Sequence, residues 1–503
     1  MSEYSSGMTM HEDSSRPSRF LTTTLLEAAL SVLLAATLSA CAAPRPEEPE
    51  APPAAPLLAD YVLLGRSVAG PAPAALARAI VAGAGSACPA ITLSDGSPPL
   101  PMLPRTNPDP QAFPVTVCEA VVATGAGVTA RVDGSGHDLP VPESLTAPVE
   151  RLVAIADTGC KSDASQPCAD AWPFPAIAAA AAADDPDLVV HLGDYNYRGT
   201  PSKDAQDRWA YDGCLPNEGE PFVIQRTRDT WQTWREDFFD AARPLLEAAP
   251  WVAVRGNHEL CSRAGQGWFY FLDPRSRLLD PDVVPPSCNA PFVQTDPYVI
   301  GLANLELAVL DSANACGGEA PQSDAHRTEE VTSFARQLDA IATSLAQRPN
   351  RAWLLTHRPL WGLSRWGTEP AEVITDTLQS ALDGSVGGEL PASVAMVLSG
   401  HMHEFEAITF ANDRAPQLTV GNSGVLIGPD LMAPGFAGTT LDGVTASGLI
   451  DATNHGYLLF ELRDGGDWTA TLRAFDAAGA PRPATISCAL PLSGSLCANN
   501  VER

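Results

Sequence analysis

The hydrophobic rhythm of the chain changes near residue 150. From there on, short apolar runs alternate with longer stretches in which apolar side chains return every three or four positions, the period of a helix face. The runs at 152–156, 188–192, 251–254, 305–310, 352–355, 394–398, 418–420, 457–462 and 468–474 predict strands. Helical spacing covers an alanine-rich stretch at 175–183. It returns at 230–249, where Trp231, Trp234, Phe238, Phe239, Ala242 and Leu245 share a face, and again at 329–346 and 372–382. Strands separated by helices predict layered α/β packing. The closing run of strands without helices predicts a second sheet packed on the first.

Upstream the pattern differs. Residues 60–148 carry Pro/Gly turns, two cysteines and short apolar runs such as 113–117 and 128–132, and predict a small, mostly β accessory domain. Residues 41–59 are rich in Ala, Pro and Glu; such a stretch buries little surface and reads as a tether. The α/β pattern fills 149–480, and 481–503 form a tail with two cysteines. At 503 residues the chain is too long for one ordinary core, which fits this division. No internal repeat is evident.

Charge narrows the function classes. Lys and Arg number 31 against 60 Asp and Glu, a net charge of −29. This argues against nucleic acid or an anionic membrane surface as the main partner. It also disfavours long-range steering of anionic substrates, so an anion site here needs strong local positive charge, which metal ions supply.

Arg16 and Arg19 precede an uncharged run at 28–40, too short to span a bilayer comfortably but suited to a signal-peptide core. It ends in Leu38-Ser39-Ala40-Cys41, which resembles the lipobox of bacterial lipoproteins. That resemblance implies removal of 1–40, lipidation of Cys41 and attachment at the cell envelope. The long leader with Glu3, Glu12 and Asp13 departs from the pattern and admits Met8 or Met10 as the start. The cysteines agree with export: setting Cys41 aside from the 11 leaves an even number. Short separations suggest Cys88–Cys118, Cys160–Cys168 and Cys488–Cys497, while Cys214, Cys261, Cys288 and Cys316 admit three pairings. A cysteine metal site is disfavoured because no C-x2-C spacing occurs.

Five segments at strand ends carry candidate chemistry: Asp157-Thr158-Gly159, Gly193-Asp194-Tyr195-Asn196-Tyr197, Gly256-Asn257-His258-Glu259, Thr356-His357-Arg358-Pro359 and Gly400-His401-Met402-His403. Loops at the carboxyl ends of strands are where α/β folds place their sites. Taken singly, an Asp after a strand is more often a turn or cap than a ligand, and a lone His is more often structural. In an extended segment, however, His401 and His403 point to one face. Four Asp, Asn and Tyr oxygen donors with three His, each after a strand, form a metal-ligand set.

The order of these motifs resembles the calcineurin-like metallophosphoesterase superfamily, whose pattern runs D-x-H, G-D, G-N-H-[ED], H and G-H-x-H. The resemblance covers residues 150 to about 480 and implies a four-layer α/β/β/α sandwich. One departure is informative: Gly159 stands where the first motif has His, and Tyr197 follows Asp194 by three residues. This paired change is similar to purple acid phosphatases, where the Tyr replaces the lost His ligand. The resemblance implies Asp157, Asp194, Tyr197 and His403 around a first metal, Fe(III), and Asp194, Asn257, His357 and His401 around a divalent second, Fe, Zn or Mn. Phenolate and carboxylate donors favour a trivalent iron.

The implied reaction is hydrolysis of a small phosphate monoester by a metal-bound hydroxide, with an acidic optimum. Asp194 bridges the metals, Asn257 and His357 also face the substrate, and His258 donates a proton to the leaving group. Glu259 either orients His258 or caps a helix, and Arg358 either touches the phosphate or forms a surface ion pair. His455 reads as a supporting or structural residue, and His11, His137, His191 and His326 have no supporting pattern. A phosphodiesterase or nucleotidase on the same scaffold, or a lipid-anchored binding protein with a degenerate site, are the competing readings. Oligomeric state has no signature in the sequence.

Overall fold

The computed structural model describes residues 55–499 except 67–72, 106–108, 143, 145–146, 163–165, 199–228, 284–287, 289–292, 317–323, 365–371, 374–375, 386, 428–437, 452, 484–485 and 491–496. The signal segment, Cys41, Cys214 and most of the tether lie outside them.

Two sheets form the centre. Among the described residues the first has 11 strands, in the order Cys497–Asn499, Ile486–Leu490, Trp468–Phe475, His455–Leu462, Arg151–Ile155, Leu188–His191, Trp251–Ala253, Leu57–Arg66, Pro73–Ala82, Val115–Val122 and Leu103–Pro104. The four from Arg151–Ile155 to Leu57–Arg66 run parallel, and antiparallel strands extend the sheet on either side. The second sheet has eight strands among the described residues, in the order Tyr298–Gly301, Glu306–Val309, Ala352–Leu355, Val394–Ser399, Gln417–Val420, Phe405–Phe410, Val444–Asp451 and Thr439–Leu441. Its parallel centre runs from Glu306–Val309 to Gln417–Val420.

Strand alternation builds the layers. Leu152 and Ala154 point with Leu188, Val190 and Val252 toward the second sheet, where they meet Leu307, Val309, Trp353, Leu355 and Leu398 in one core. Val153, Ile155, Val189 and Trp251 point the other way, under Phe174–Ala183 and the helical segment 231–248. On the far face, Ala308, Leu354 and Val397 pack under Asp324–Leu345 and Asp376–Asp383. The order is helix, sheet, sheet, helix, the four-layer α/β/β/α sandwich. Both sheets are covered on both faces, which is why the central strands read as continuous apolar runs.

The N-terminal region is mostly β, with one feature its sequence did not announce. Leu57–Arg66 pairs in parallel with Trp251–Ala253, so its strands lengthen the first sheet, and residues 54–503 form one compact unit. A small sheet of Leu100–Pro101, Ala90–Leu93 and Ala130–Val132 lies beside them. The late strands do not form the second sheet alone. That sheet begins at residue 298, whereas His455–Leu462 and the strands after it return to the first sheet and carry it into the tail. The bonds Cys88–Cys118, Cys160–Cys168, Cys261–Cys288 and Cys488–Cys497 are formed.

Candidate metal centre

The five motifs meet at one end of the sandwich, where parallel strands of both sheets finish side by side. Asp157 follows Arg151–Ile155, Asp194 and Tyr197 follow Leu188–His191, and Asn257 follows Trp251–Ala253. His357 follows Ala352–Leu355 in the other sheet, and His401 and His403 follow Val394–Ser399. The backbone N–H of His401 donates to Asp157 Oδ2 at 2.8 Å, tying one sheet's loop to the other's. Asp157, Asp194 and His401 all hold positive φ, at 54°, 60° and 74°. Such conformations cost roughly 1–3 kcal/mol each and persist where surrounding bonds fix them.

Seven candidate ligands converge in two groups that share Asp194. In the first, Tyr197 Oη lies 2.8 Å from Asp157 Oδ1, 3.0 Å from Asp194 Oδ2 and 3.1 Å from His403 Nε2. In the second, Asn257 Oδ1 lies 2.7 Å from His357 Nε2 and 3.1 Å from His401 Nδ1, with Asp194 Oδ1 3.4 Å from His357 Nε2. Ligand atoms of Asp194, His357 and His401 fall within 4.8 Å of one another. Asp157, Asp194 and His357 are fully enclosed. Burial pushes Asp157 up to about 8. Against burial, which raises it, His357 and His258 hold Asp194 well below the usual carboxylate range. Burial alone would lower His357, but the charge and hydrogen bond of Asp194, with Asp157, hold it up at about 9. Among the described residues neither carboxylate has a Lys or Arg partner. Enclosed carboxylates without such a partner, facing three imidazoles, an amide oxygen and a phenol, suit cations.

Supporting groups account for the geometry. Glu259 is fully buried and caps a short helical turn, one of the two roles its sequence position suggested. Its carboxylate accepts N–H bonds from Asp194 (3.0 Å), Tyr195 (2.9 Å), Asn196 (3.1 Å) and Gly256 (3.2 Å), fixing the turn that carries Asp194 and closing the short 3-10 turn Asn257–Glu259. Ser312 Oγ receives the N–H groups of His357 and Arg358 at 3.1 and 2.8 Å. His191 is buried, with Nε2 2.9 Å from Thr158 Oγ1 and its ring stacked on Tyr195. Nothing in its surroundings in sequence marked that role.

Two further residues flank the ligands. His258 packs against the Tyr197 ring with centroids 3.9 Å apart and the planes tilted by 34°, and its backbone N–H donates to Asp194 Oδ1 at 2.8 Å. Arg358 is buried, which removes the surface ion pair as its role; its Nη1 lies 3.1 Å from His401 Nε2. His455 is buried on the strand beside Arg151–Ile155 and is not a ligand. His137 stands apart, beside Asp60 and Glu247, and His326 lies on the helix Asp324–Leu345.

Residues 150–405 match the family profile described as calcineurin-like phosphoesterase. The chain belongs to that family. It is therefore a metal-dependent phosphoric ester hydrolase, and the family implies a binuclear metal centre. Among solved structures, the chain is similar to a purple acid phosphatase, PPD1, from seeds of yellow lupin (Lupinus luteus). The TM-score is 0.52 at 13% identity, covering 85% of this chain and 73% of that one, a likeness of fold. No curated protein matches the chain in sequence.

Within this phosphoesterase, Gly159 has a steric reason. A Cβ there would lie 2.8 Å from Tyr197 Cδ2 and 2.6 Å from Asp237 Oδ2. With Tyr197 in the centre there is no room for a side chain at 159, so the two departures from the usual pattern belong together.

Proposed function

We propose that this phosphoesterase hydrolyses small phosphate monoesters in the manner of purple acid phosphatases, with Fe(III) and a divalent Fe, Zn or Mn ion in its centre. The observation that carries the reading is the Tyr197 hydroxyl, within 2.8–3.1 Å of Asp157, Asp194 and His403. A phenol and two carboxylates are hard donors suited to a trivalent ion, and the second group is richer in imidazole, suited to a divalent one. Asp157, Asp194, Tyr197 and His403 would hold the first ion, and Asp194, Asn257, His357 and His401 the second. Bound there, the ions supply positive charge against the phosphate oxygens and lower the pKa of water.

The chain's own groups do the rest. Asp194 serves both groups, so its fixed turn sets their separation. Arg358 offers its guanidinium beside His401, where it meets a phosphate oxygen. His258 carries a proton to the departing ester oxygen, with its ring packed at a tilt against Tyr197. Turnover of an aryl phosphate monoester at a rate well above that of the matching diester supports this reading. The reverse preference establishes the diesterase. A tyrosinate–iron band in the visible spectrum that vanishes in Tyr197→Phe supports the metal assignment; a colourless, active, iron-free protein refutes it.

We further propose export and attachment to the cell envelope through lipid on Cys41. The lipobox-like 38–41 segment and the four disulfides among the described residues support this. Cys41→Ser moves the protein from the membrane fraction to the soluble fraction if the proposal is right. An unchanged distribution refutes it.

A further inference from the structure

The segment from 231 to 248 is not one uninterrupted α-helix: Arg235–Phe239 forms a π-helical turn between α-helical Trp231–Trp234 and Asp240–Ala248. Such turns are rare and are frequent at functional sites. Asp237, in its middle, is fully buried. Its Oδ1 accepts from the backbone N–H of Cys160 at 2.8 Å and from Arg198 Nε at 2.9 Å. Its Oδ2 accepts from the backbone N–H groups of Tyr197 at 2.6 Å and Arg198 at 3.0 Å. One carboxylate thus gathers the residue after Gly159 and Tyr197 itself, and it occupies the space that a side chain at 159 would need.

From this geometry we propose that Asp237 is the positioning residue for Tyr197, and that Gly159, Tyr197 and Asp237 act as one unit. The carboxylate fixes the backbone at 160 and 197, the bare Cα at 159 admits the ring, and the phenol oxygen is thereby held between Asp157 and Asp194. Asp237 touches neither substrate nor ligand atoms; it acts through Tyr197. The inference rests on the two-metal reading above. It adds a third member to the paired departure at 159 and 197, on a helix rather than in any of the five motifs.

Asp237→Asn tests it. The volume is kept, but whichever way the amide lies, its NH2 replaces an oxygen that accepts two N–H bonds. The protein is purified with its native metals and titrated with chelator, and the metal-to-protein ratio is followed beside the melting temperature. Tyr197→Phe serves as the reference for loss of that ligand. Asp237→Asn is expected to release one of two ions at about ten- to a hundred-fold less chelator than wild type, as Tyr197→Phe does, while the other ion stays. Gly159→Ala, which presses on the same contact from the opposite side, is expected to do the same. An Asp237→Asn protein that melts at a lower temperature yet keeps both ions at wild-type chelator concentrations overturns the proposal, because Asp237 is then only fold support. If Asp237→Asn does not fold, Gly159→Ala decides: folded protein with wild-type retention of both ions overturns it. A wild-type protein that never holds two ions overturns the two-metal reading itself, a failure visible before any variant is compared.

Discussion

Replacing Glu259 by Gln asks how the turn carrying Asp194 is held. The glutamate oxygens accept four backbone N–H bonds of 2.9–3.2 Å, Oε1 from Tyr195 and Asn196, Oε2 from Asp194 and Gly256. Glutamine keeps one of these oxygens and turns the other into a donor facing two donors. Each lost bond to a charged acceptor is worth roughly 1.5–3 kcal/mol, so two cost about 3–6 kcal/mol. Against a typical total of roughly 5–15 kcal/mol, the variant is folded but much weakened. The opposing effect is burial, which with the neighbouring Asp194 charge pushes the Glu259 carboxyl up to about 8, while the Tyr195 and Asn196 N–H groups draw it down. Were the acid neutral, glutamine would mimic it and the cost would be small. Four converging donors and adjacent cations favour the anion. Urea unfolding of wild type and variant with matched slopes measures the difference, and metal content and turnover are read on the same preparations. A loss below about 1 kcal/mol with both ions retained refutes the argument, since one neutral hydrogen bond is worth about that much.

Other outcomes follow from separate parts of the molecule. Burial lowers His455 to about 4 in the folded protein, so the stability it contributes is present above the unfolded value near 6.5 and is lost as pH falls through that window. The wild-type advantage over His455→Gln in unfolding free energy shrinks by up to about 3 kcal/mol between pH 7 and pH 4; a flat difference refutes burial as the cause. Trp353 packs between the sheets against Phe460 and Trp468, with ring centroids 4.8 and 5.3 Å away. Trp353→Ala costs about 3–5 kcal/mol in urea unfolding while the turnover number of the folded protein stays unchanged. Arg358→Lys keeps the charge but loses the fork, raising KM for an aryl phosphate about tenfold with both metals retained; an unchanged KM removes Arg358 from the substrate site.

The candidate ligands were legible because each stands in a short segment that follows an apolar strand. Asp157 after 152–156 and His357 after 352–355 are examples, and the observed strands end within a residue or two of those runs. The helix face at 231–248 was legible for the same reason, through the spacing of its aromatic residues. What lay hidden depends on pairings distant in sequence. Leu63 faces Trp251 in parallel, and no local pattern connects residues so far apart, so the N-terminal strands read as a domain of their own. The runs 394–398 and 457–462 read alike as apolar strands, yet the two join different sheets. Asp237 and Glu259 were legible as acids but not as acceptors of converging backbone bonds. One signal did point to Asp237: it lies three residues after Trp234 and just before Phe238, on the apolar face where a charge is out of place.

The strand that carries Asp157 lies between Leu188–His191, which follows it closely, and His455–Leu462, some 300 residues later. Asp157 therefore acquires one flanking strand early in synthesis and the other only when the chain is nearly finished. Contacts of such long sequence separation form slowly and leave strand edges open meanwhile. The candidate ligands are distributed in the same way, from 157 to 403, so the proposed centre is complete only once the chain has been made past His403. Loading of both proposed ions accordingly waits for a chain made through His403.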